Sequence, residues 1–361
     1  MSIASINKSG PFTHDSNSVQ NTMFTVLMAL VPATVFNLYL FGWPAILLFT
    51  ITVGSCVAVE AACLSLANQP VKTVLNDYSA VLTGWVLAMS LPPWAPWWIG
   101  VLGAIFAIAL AKHAFGGLGQ NVFNPAMVGR TALLVSFPVV MTAWIMPHPL
   151  FSSGAPGLAD AITIIFGGHM PDTVSAASAL GYIKTELSRG ILVPQSMTQI
   201  PDLMDMKWAL GYRAGSLGET SGILVLAGGL FLMFKRIISW HIPLSVMGSL
   251  FMMGEVFHFV DPAHYTSGLF HLMSGATILG AFFIATDYVT SPVSKKGQLV
   301  FGLGCGMLIW LIRTFAGYPE GMAFAVLLMN GLTPIIDQYT RPRAFGRNSK
   351  GEPLPLVREK P

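Results

Sequence analysis

Long apolar runs free of Asp, Glu, Lys and Arg alternate with short polar punctuation along this chain. Such runs have the spacing of spanning helices, which need roughly 20 mostly apolar residues each. Residues 21–59 carry no charge, and Phe41-Gly42-Trp43-Pro44 divides them into helices near 22–41 and 45–67. Residues 78–111 are also uncharged. They divide at Pro92-Pro93-Trp94-Ala95-Pro96-Trp97-Trp98, where prolines turn the chain and tryptophans suit a membrane interface. That predicts helices near 76–91 and 97–115, and a fifth near 124–141 after Asn124-Pro125. Helices six to ten are predicted near 216–234, 241–259, 268–287, 298–315 and 321–338. The segment between helices five and six, 142–212, holds most of the irregular sequence.

The fold class expected is therefore an all-α polytopic membrane protein with about ten transmembrane helices. It divides into a segment 1–21, a first membrane repeat 22–141, a long loop 142–212, a second repeat 213–338 and a basic tail 339–361. A weak internal repeat supports five plus five helices of inverted topology. Phe115-Gly116-Gly117-Leu118-Gly119-Gln120 opens helix five and Phe315-Ala316-Gly317-Tyr318-Pro319-Glu320-Gly321 opens helix ten. Inverted repeats build central sites from interrupted helices, whereas glycines alone also serve tight helix packing; the motif fits both.

Short-loop charge sets the orientation. Lys8, Lys72, Lys112, Lys235, Arg236, Lys295, Lys296, Arg341, Arg343, Arg347 and Lys350 fall on the side of the two termini. The short turns 42–44, 92–96, 260–267 and 316–320 have neither Lys nor Arg. Both termini are expected in the cytoplasm of a bacterial cell, the chain in the inner membrane, and 142–212 on the outer side. No cleavable leader is expected, because the polar first twenty residues lack an apolar core.

Composition agrees. Of 361 residues 53% are hydrophobic and 10% charged, against about 25% charged in a soluble domain. Net charge is +3, and no basic stripe interleaved with aromatics suggests nucleic acid. Cys56, Cys63 and Cys305 are isolated in apolar stretches, so neither a zinc nor an iron–sulfur site is expected. His241, His258, His264 and His271 lie near helix ends, which disfavours bis-histidine haem.

Ionisable groups within hydrocarbon are functional candidates by default. Glu60 lies well inside helix two, and Asp77, Asp287 and Asp337 lie at helix ends. These four are the candidate ion-path residues; structural ion pairing is the alternative. Arg313, at the end of helix nine where positive charge is unexpected, has Glu320 as its candidate partner. In the long loop, Asp172-Thr173-Val174-Ser175-Ala176-Ala177-Ser178 has the form Asp-x-x-Ser-x-Ala-Ser. Its last hydroxyl could take the phosphate of FMN as an ester. The plain alternative is a Ser/Ala-rich loop.

Several strings carry a family likeness. They are Pro11-Phe12-Thr13-His14, Asn76-Asp77-Tyr78-Ser79-Ala80-Val81-Leu82-Thr83-Gly84, the helix-five opening through Asn124-Pro125-Ala126-Met127, Ser274-Gly275-Ala276-Thr277 through Asp287, Gly317-Tyr318-Pro319-Glu320-Gly321 and Tyr339-Thr340-Arg341-Pro342-Arg343. Together they resemble the RnfD proteins of bacterial Rnf electron-transport complexes, a family that includes the NqrB component of the Na⁺-pumping NADH:quinone reductase. The resemblance implies a subunit of a redox-driven translocase moving electrons between ferredoxin and NAD while Na⁺ or H⁺ crosses the membrane. It implies partner subunits, FMN attached in the outer loop by a flavin transferase, and a second, noncovalent riboflavin. The family motif ends in threonine; here Ser178 stands in that place, preceded by Asp172, Ser175 and Ala177. Thr277, in Ser274-Gly275-Ala276-Thr277, spells a related acceptor string inside helix eight and is the minority candidate. A transporter or channel without redox chemistry, and a pure scaffold, are the competing readings. The chain has no glycine fingerprint for NAD after a strand, so it does not catalyse the overall reaction alone.

Overall fold

The structure is a computed structural model that describes residues 18–152, 154–167, 175–200 and 205–341. Helix α1 spans Val19–Leu66 and bends at Gly42, whose φ of 73° is non-helical. Only glycine adopts that backbone without strain, and the bend splits α1 at the predicted turn. Trp94 Nε1 donates to Phe41 O at 2.9 Å, satisfying a carbonyl next to the bend. Helix α2 (Val71–Leu75) is one turn, and α3 (Ser79–Ser90) follows after a break. Helix α4 (Trp97–Ala104) continues as a π-helical stretch, Ile105–Leu110, ending near Phe115.

Helix α5 (Pro125–Ser136) starts where Asn124 caps it: Asn124 Oδ1 accepts from Met127 N at 3.2 Å, and proline occupies the first helical position, where its missing N–H costs nothing. Pro138 ends α5 and begins the short α6 (Pro138–Met141), dividing the predicted fifth helix in two.

The long loop is more structured than its sequence suggests. Strand β1 (Trp144–Ile145) pairs antiparallel with β2 (Ser175–Ala176). Among the described residues the loop also holds helices α7 (Leu158–Gly167), α8 (Ala179–Ser188), α9 (Val193–Met197) and α10 (Met206–Leu210). Leu180, Ile183, Val193, Trp208 and Phe270 form a small core of their own, so the loop packs down on the membrane helices.

The second half begins with α11 (Leu217–Thr220), which breaks at Ser221 before α12 (Gly222–Phe234). Helix α13 (His241–Val260) follows. The predicted eighth helix is interrupted: α14 (Gly268–Met273), then α15 (Thr277–Leu279) running into a π-helical turn, Gly280–Ile284. Helices α16 (Lys295–Phe315) and α17 (Met322–Tyr339) close the bundle, with α16 packed along both α13 and α17. The bends, breaks and π turns divide predicted spans that hydropathy alone reads as continuous. Among the described residues, four helical stretches, Val19–Leu66, Trp97–Phe115, His241–Val260 and Lys295–Phe315, are long and apolar enough to cross a membrane. One shared core joins both halves, running from Leu30, Leu87 and Ile108 to Phe282, Phe301 and Val326. The molecule is a mostly helical, polytopic membrane protein.

Candidate functional site

Two interrupted helices, one in each half, each lie beside a buried ion pair. In the first half α2 stops at Leu75 and the chain turns through Tyr78, whose φ of 61° is left-handed. Helix α3 then starts at Ser79. Asp77 Oδ1 accepts from Ser79 N at 2.7 Å and Ser79 Oγ at 2.6 Å, so the aspartate caps the restarted helix. In the second half α14 stops at Met273, the chain turns through Gly275 (φ 67°), and the helix restarts at Thr277. Glu320 Oε1 accepts from Ala276 N at 3.3 Å. In both halves the break combines a left-handed residue, a hydroxyl at the restart and a carboxylate receiving backbone N–H.

Each break is held by a cation from the apolar helix that follows. Lys112 Nζ donates to Glu60 Oε1 at 2.8 Å and to Ser79 Oγ at 2.7 Å. His113 Nε2 stands 3.1 Å from the same Glu60 oxygen. Lys112 and Glu60 are each 1% exposed. In the other half Arg313 Nη1 donates to His271 O at 2.7 Å. Its Nη2 donates to Ser274 O at 3.1 Å, Thr277 Oγ1 at 3.0 Å and Glu320 Oε1 at 3.0 Å. Planar guanidinium geometry suits several acceptors at once, whereas an ammonium is a compact charge. Arg213 adds to this assembly, donating to Met273 O and Glu219 O while its guanidinium lies 5.0 Å over Trp208. Ser216 Oγ donates to Glu219 Oε1 at 2.7 Å.

The two assemblies lie at opposite ends of the bundle. Helix α16 has 21 residues, about 31 Å at 1.5 Å per residue, and Arg313 sits in its last turn. Gln298, in its first turn, accepts from Ser239 Oγ at 2.6 Å. The neighbouring Ile237 and Ile238 line one cleft with Lys112, Ser79 and Asp287. That cleft, about 800 Å³ counting its open mouth, lies between the two halves, and Asn121, Asn124 and Thr286 also face it. Asn124 joins the halves directly: its Nδ2 donates to Ile284 O at 3.3 Å and its backbone N to Asn330 Oδ1 at 3.1 Å. A second cleft, about 940 Å³ counting its mouth, is lined by Arg313, His271, Lys184 and Asp261.

The residues singled out in the sequence divide accordingly. Glu60 and Asp77 join through Lys112 and Ser79. Asp287 lines the same cleft, its carboxylate accepting from Val289 N at 3.3 Å and Thr290 Oγ1 at 3.2 Å. Asp337 stands apart, accepting from Val293 N at 3.2 Å on an exposed edge. The expected Arg313–Glu320 pair is present. Lys112, which the sequence pattern places at the end of the helix near 97–115 on the side of the termini, is fully buried; a lysine directly after an uncharged run suits either environment. The sequence marks His271 only as a helix-end histidine and gives Arg213 no role, because a lone charge at a helix end carries no signal of the acceptors that the fold brings to it.

Of the loop motif, Asp172 lies outside the described residues, and for Ser175 only the backbone, in β2, is described. Ala177 is exposed. Ser178 is the N-cap of α8: its Oγ accepts from Gly181 N at 3.2 Å, and the residue is 5% exposed. Thr277 is wholly buried, its hydroxyl donating toward His271 O and Ser274 O and accepting from Arg313. Lys184, one turn and a half beyond Ser178 on α8, donates to Arg313 O at 3.0 Å, Tyr318 O at 3.4 Å and Ala316 O. Burial there pulls the Lys184 ammonium below its ordinary pKa. Among the described residues, no group of three or more His, Cys, Asp or Glu side chains gathers as a metal site.

Interrupted helices, buried carboxylates paired with buried cations, and a cleft between the two halves mark a polytopic membrane protein whose buried charges are functional candidates. Residues 6–346 match the model of the NQR2, RnfD, RnfE family, and the chain belongs to that family. Among its relatives is the D component of the ion-translocating oxidoreductase complex of Stutzerimonas stutzeri, 52% identical over 341 residues, 94% of this chain and 95% of that protein. The protein of the same name from Halorhodospira halophila is 47% identical over 354 residues, 98% of each chain. That of Rhodobacter capsulatus is 48% identical over 304 residues, 84% of each.

Proposed function

We propose that this chain is the RnfD-type membrane component of an ion-translocating oxidoreductase complex, carrying electrons on flavin while Na⁺ or H⁺ crosses the membrane. The observation that carries the reading is the family match over nearly the whole chain, together with paired charge assemblies in the two interrupted helices. The chain works with other subunits of such a complex and does not complete the reaction alone.

The finer architecture proposed is ten spans in two inverted sets of five. Both termini lie in the cytoplasm of a bacterial inner membrane and residues 142–212 on its outer face. The Lys/Arg asymmetry of the short turns supports that orientation. So does the correspondence between the breaks at Tyr78 and Gly275, which sit at opposite ends of the bundle as inversion requires.

The FMN site proposed is Ser178. The chemistry of the position fits a phosphoester: Ser178 caps the ten-residue helix α8, and the N-terminus of a helix favours a phosphate through its free N–H groups and its dipole. The hydroxyl would carry the ester, with Asp172, Ser175 and Ala177 as the segment a flavin transferase reads. Thr277 is the poorer acceptor, because it is wholly buried beneath Arg313. A noncovalent riboflavin is assigned to the cleft between the halves, where Asn121, Asn124 and Lys112 offer polar contacts beside apolar walls. Bound flavin supplies one- and two-electron transfer.

In-gel fluorescence of the denatured chain, followed by mass spectrometry of the 160–190 region, tests the assignment. A fluorescent band that Ser178→Ala abolishes supports it. A band that survives Ser178→Ala overturns the acceptor. Loss of all flavin, bound and released, from the purified complex overturns the redox role.

A further inference from the structure

Lys112 and Arg313 share more than burial. Each ends an apolar helix, each reaches back to the restart of an interrupted helix, and each neutralises one glutamate. Each also lines an open cleft, at opposite ends of the bundle. Neither assembly is saturated. Glu60 Oε2 is buried and accepts no hydrogen bond, and Arg313 Nε and Ser274 Oγ are buried with no hydrogen-bond partner. Lys112 Nζ, a three-proton donor, makes two bonds, to Glu60 and Ser79. A purely structural pair gains most when every such group is satisfied, because an unpaired polar atom in low dielectric is costly.

We propose that Lys112 and Arg313 are tethered counter-cations of an ion pathway: each holds the carboxylate, Glu60 or Glu320, that a monovalent cation binds when it passes that end of the bundle. This rests on the reading that ions cross within this chain. The arriving ion adds one positive charge, which the Asp77 carboxylate, bonded to the same Ser79 hydroxyl, offsets. An ion arriving from the cleft binds the free Glu60 oxygen while the ammonium withdraws toward Ser79 Oγ, and the buried carboxylate is never without a positive neighbour. At the other end Glu320 passes between Arg313 and the ion, with Ser274 Oγ a spare oxygen at the same helix break. The arginine holds the helix break by three further acceptors, so it need not leave to release the carboxylate.

The test uses the assembled complex in proteoliposomes. The half-saturating cation for electron transfer is read as Na⁺ at fixed pH and as H⁺ in Na⁺-free buffer, with ions moved per electron measured alongside. Lys112→Met and Arg313→Met remove the tethered competitor. For one of the two ions the half-saturating concentration is expected to fall about fivefold or more, a tighter site by simple affinity arithmetic. The doubles Lys112→Met/Glu60→Gln and Arg313→Met/Glu320→Gln remove site and competitor together. They bury no unpaired charge, so they test the pathway on which the counter-cation role depends even if a single variant fails to assemble; ions per electron should fall to half or less. Wild-type half-saturation in the singles with a lowered ratio in the doubles overturns the counter-cation role and leaves the pathway standing. Wild-type ratio and half-saturation in both doubles overturns the pathway through this chain as well.

Discussion

The two charge assemblies solve one problem in two ways. Around Lys112 the cation bridges side chains from three elements: Glu60 in α1, Ser79 in α3 and its own position beyond the π turn. Around Arg313 the cation also holds backbone, the carbonyls of His271 and Ser274 at the break itself, beside the Thr277 and Glu320 side chains. The difference follows from the breaks. Asp77 already caps α3 through Ser79 N, so the first break needs little from the lysine. The second has a glycine at its turn and a three-residue helical restart, and it takes its rigidity from the guanidinium. A lysine acts mainly on charge; the arginine acts on charge and shape.

That contrast can be broken most severely by orphaning a charge. Glu60→Ala leaves Lys112 buried without its carboxylate, which costs on the order of 3–5 kcal/mol. Thermal unfolding of the detergent-solubilised complex should register a large loss, smaller when Lys112→Met is added. Gly275→Ala comes next. Its φ of 67° is left-handed, and a Cβ there would meet the Glu320 carboxylate and Arg313 guanidinium. Strain of this kind costs about 1–3 kcal/mol, and the variant should lose assembled complex while Tyr78→Gly, at the matching turn, loses none. Arg313→Lys should cost about 1–3 kcal/mol, since one ammonium cannot serve four acceptors; Lys112→Arg probes the other end, where the same measurement should show a packing clash instead of a lost network. Smallest is Ser178→Ala, which removes the N-cap of α8 for about 1 kcal/mol. Protease cleavage within 179–188 should accelerate while the membrane helices stay intact.

Hydropathy locates the helices of this chain because water exclusion acts on every residue of a span. It misses the interruptions because Ser274-Gly275-Ala276 carries no charge to mark it, and the break is imposed by Arg313 and Glu320 from distant turns. Glu60 stands out in the sequence as a carboxylate among apolar residues. Its partner does not: Lys112 sits 52 residues away, at a position that suits solvent equally well. The Arg313–Glu320 pair is readable because both lie within one turn region. In the long loop, the Asp-x-x-Ser pattern is visible, but nothing in it announces that Ser178 caps a helix packed against the bundle.

Lys184 gives that helix a reach beyond its own surface. It lies six residues past Ser178, about 9 Å along the axis, and its ammonium grips the carbonyls at the end of α16 where Arg313 sits. This span is about one screening length of physiological salt, roughly 8 Å, so a negative group joined to Ser178 would still reach the ammonium, weakened by screening. The surface helix is thereby a short lever whose far arm rests on the outermost turn of the bundle.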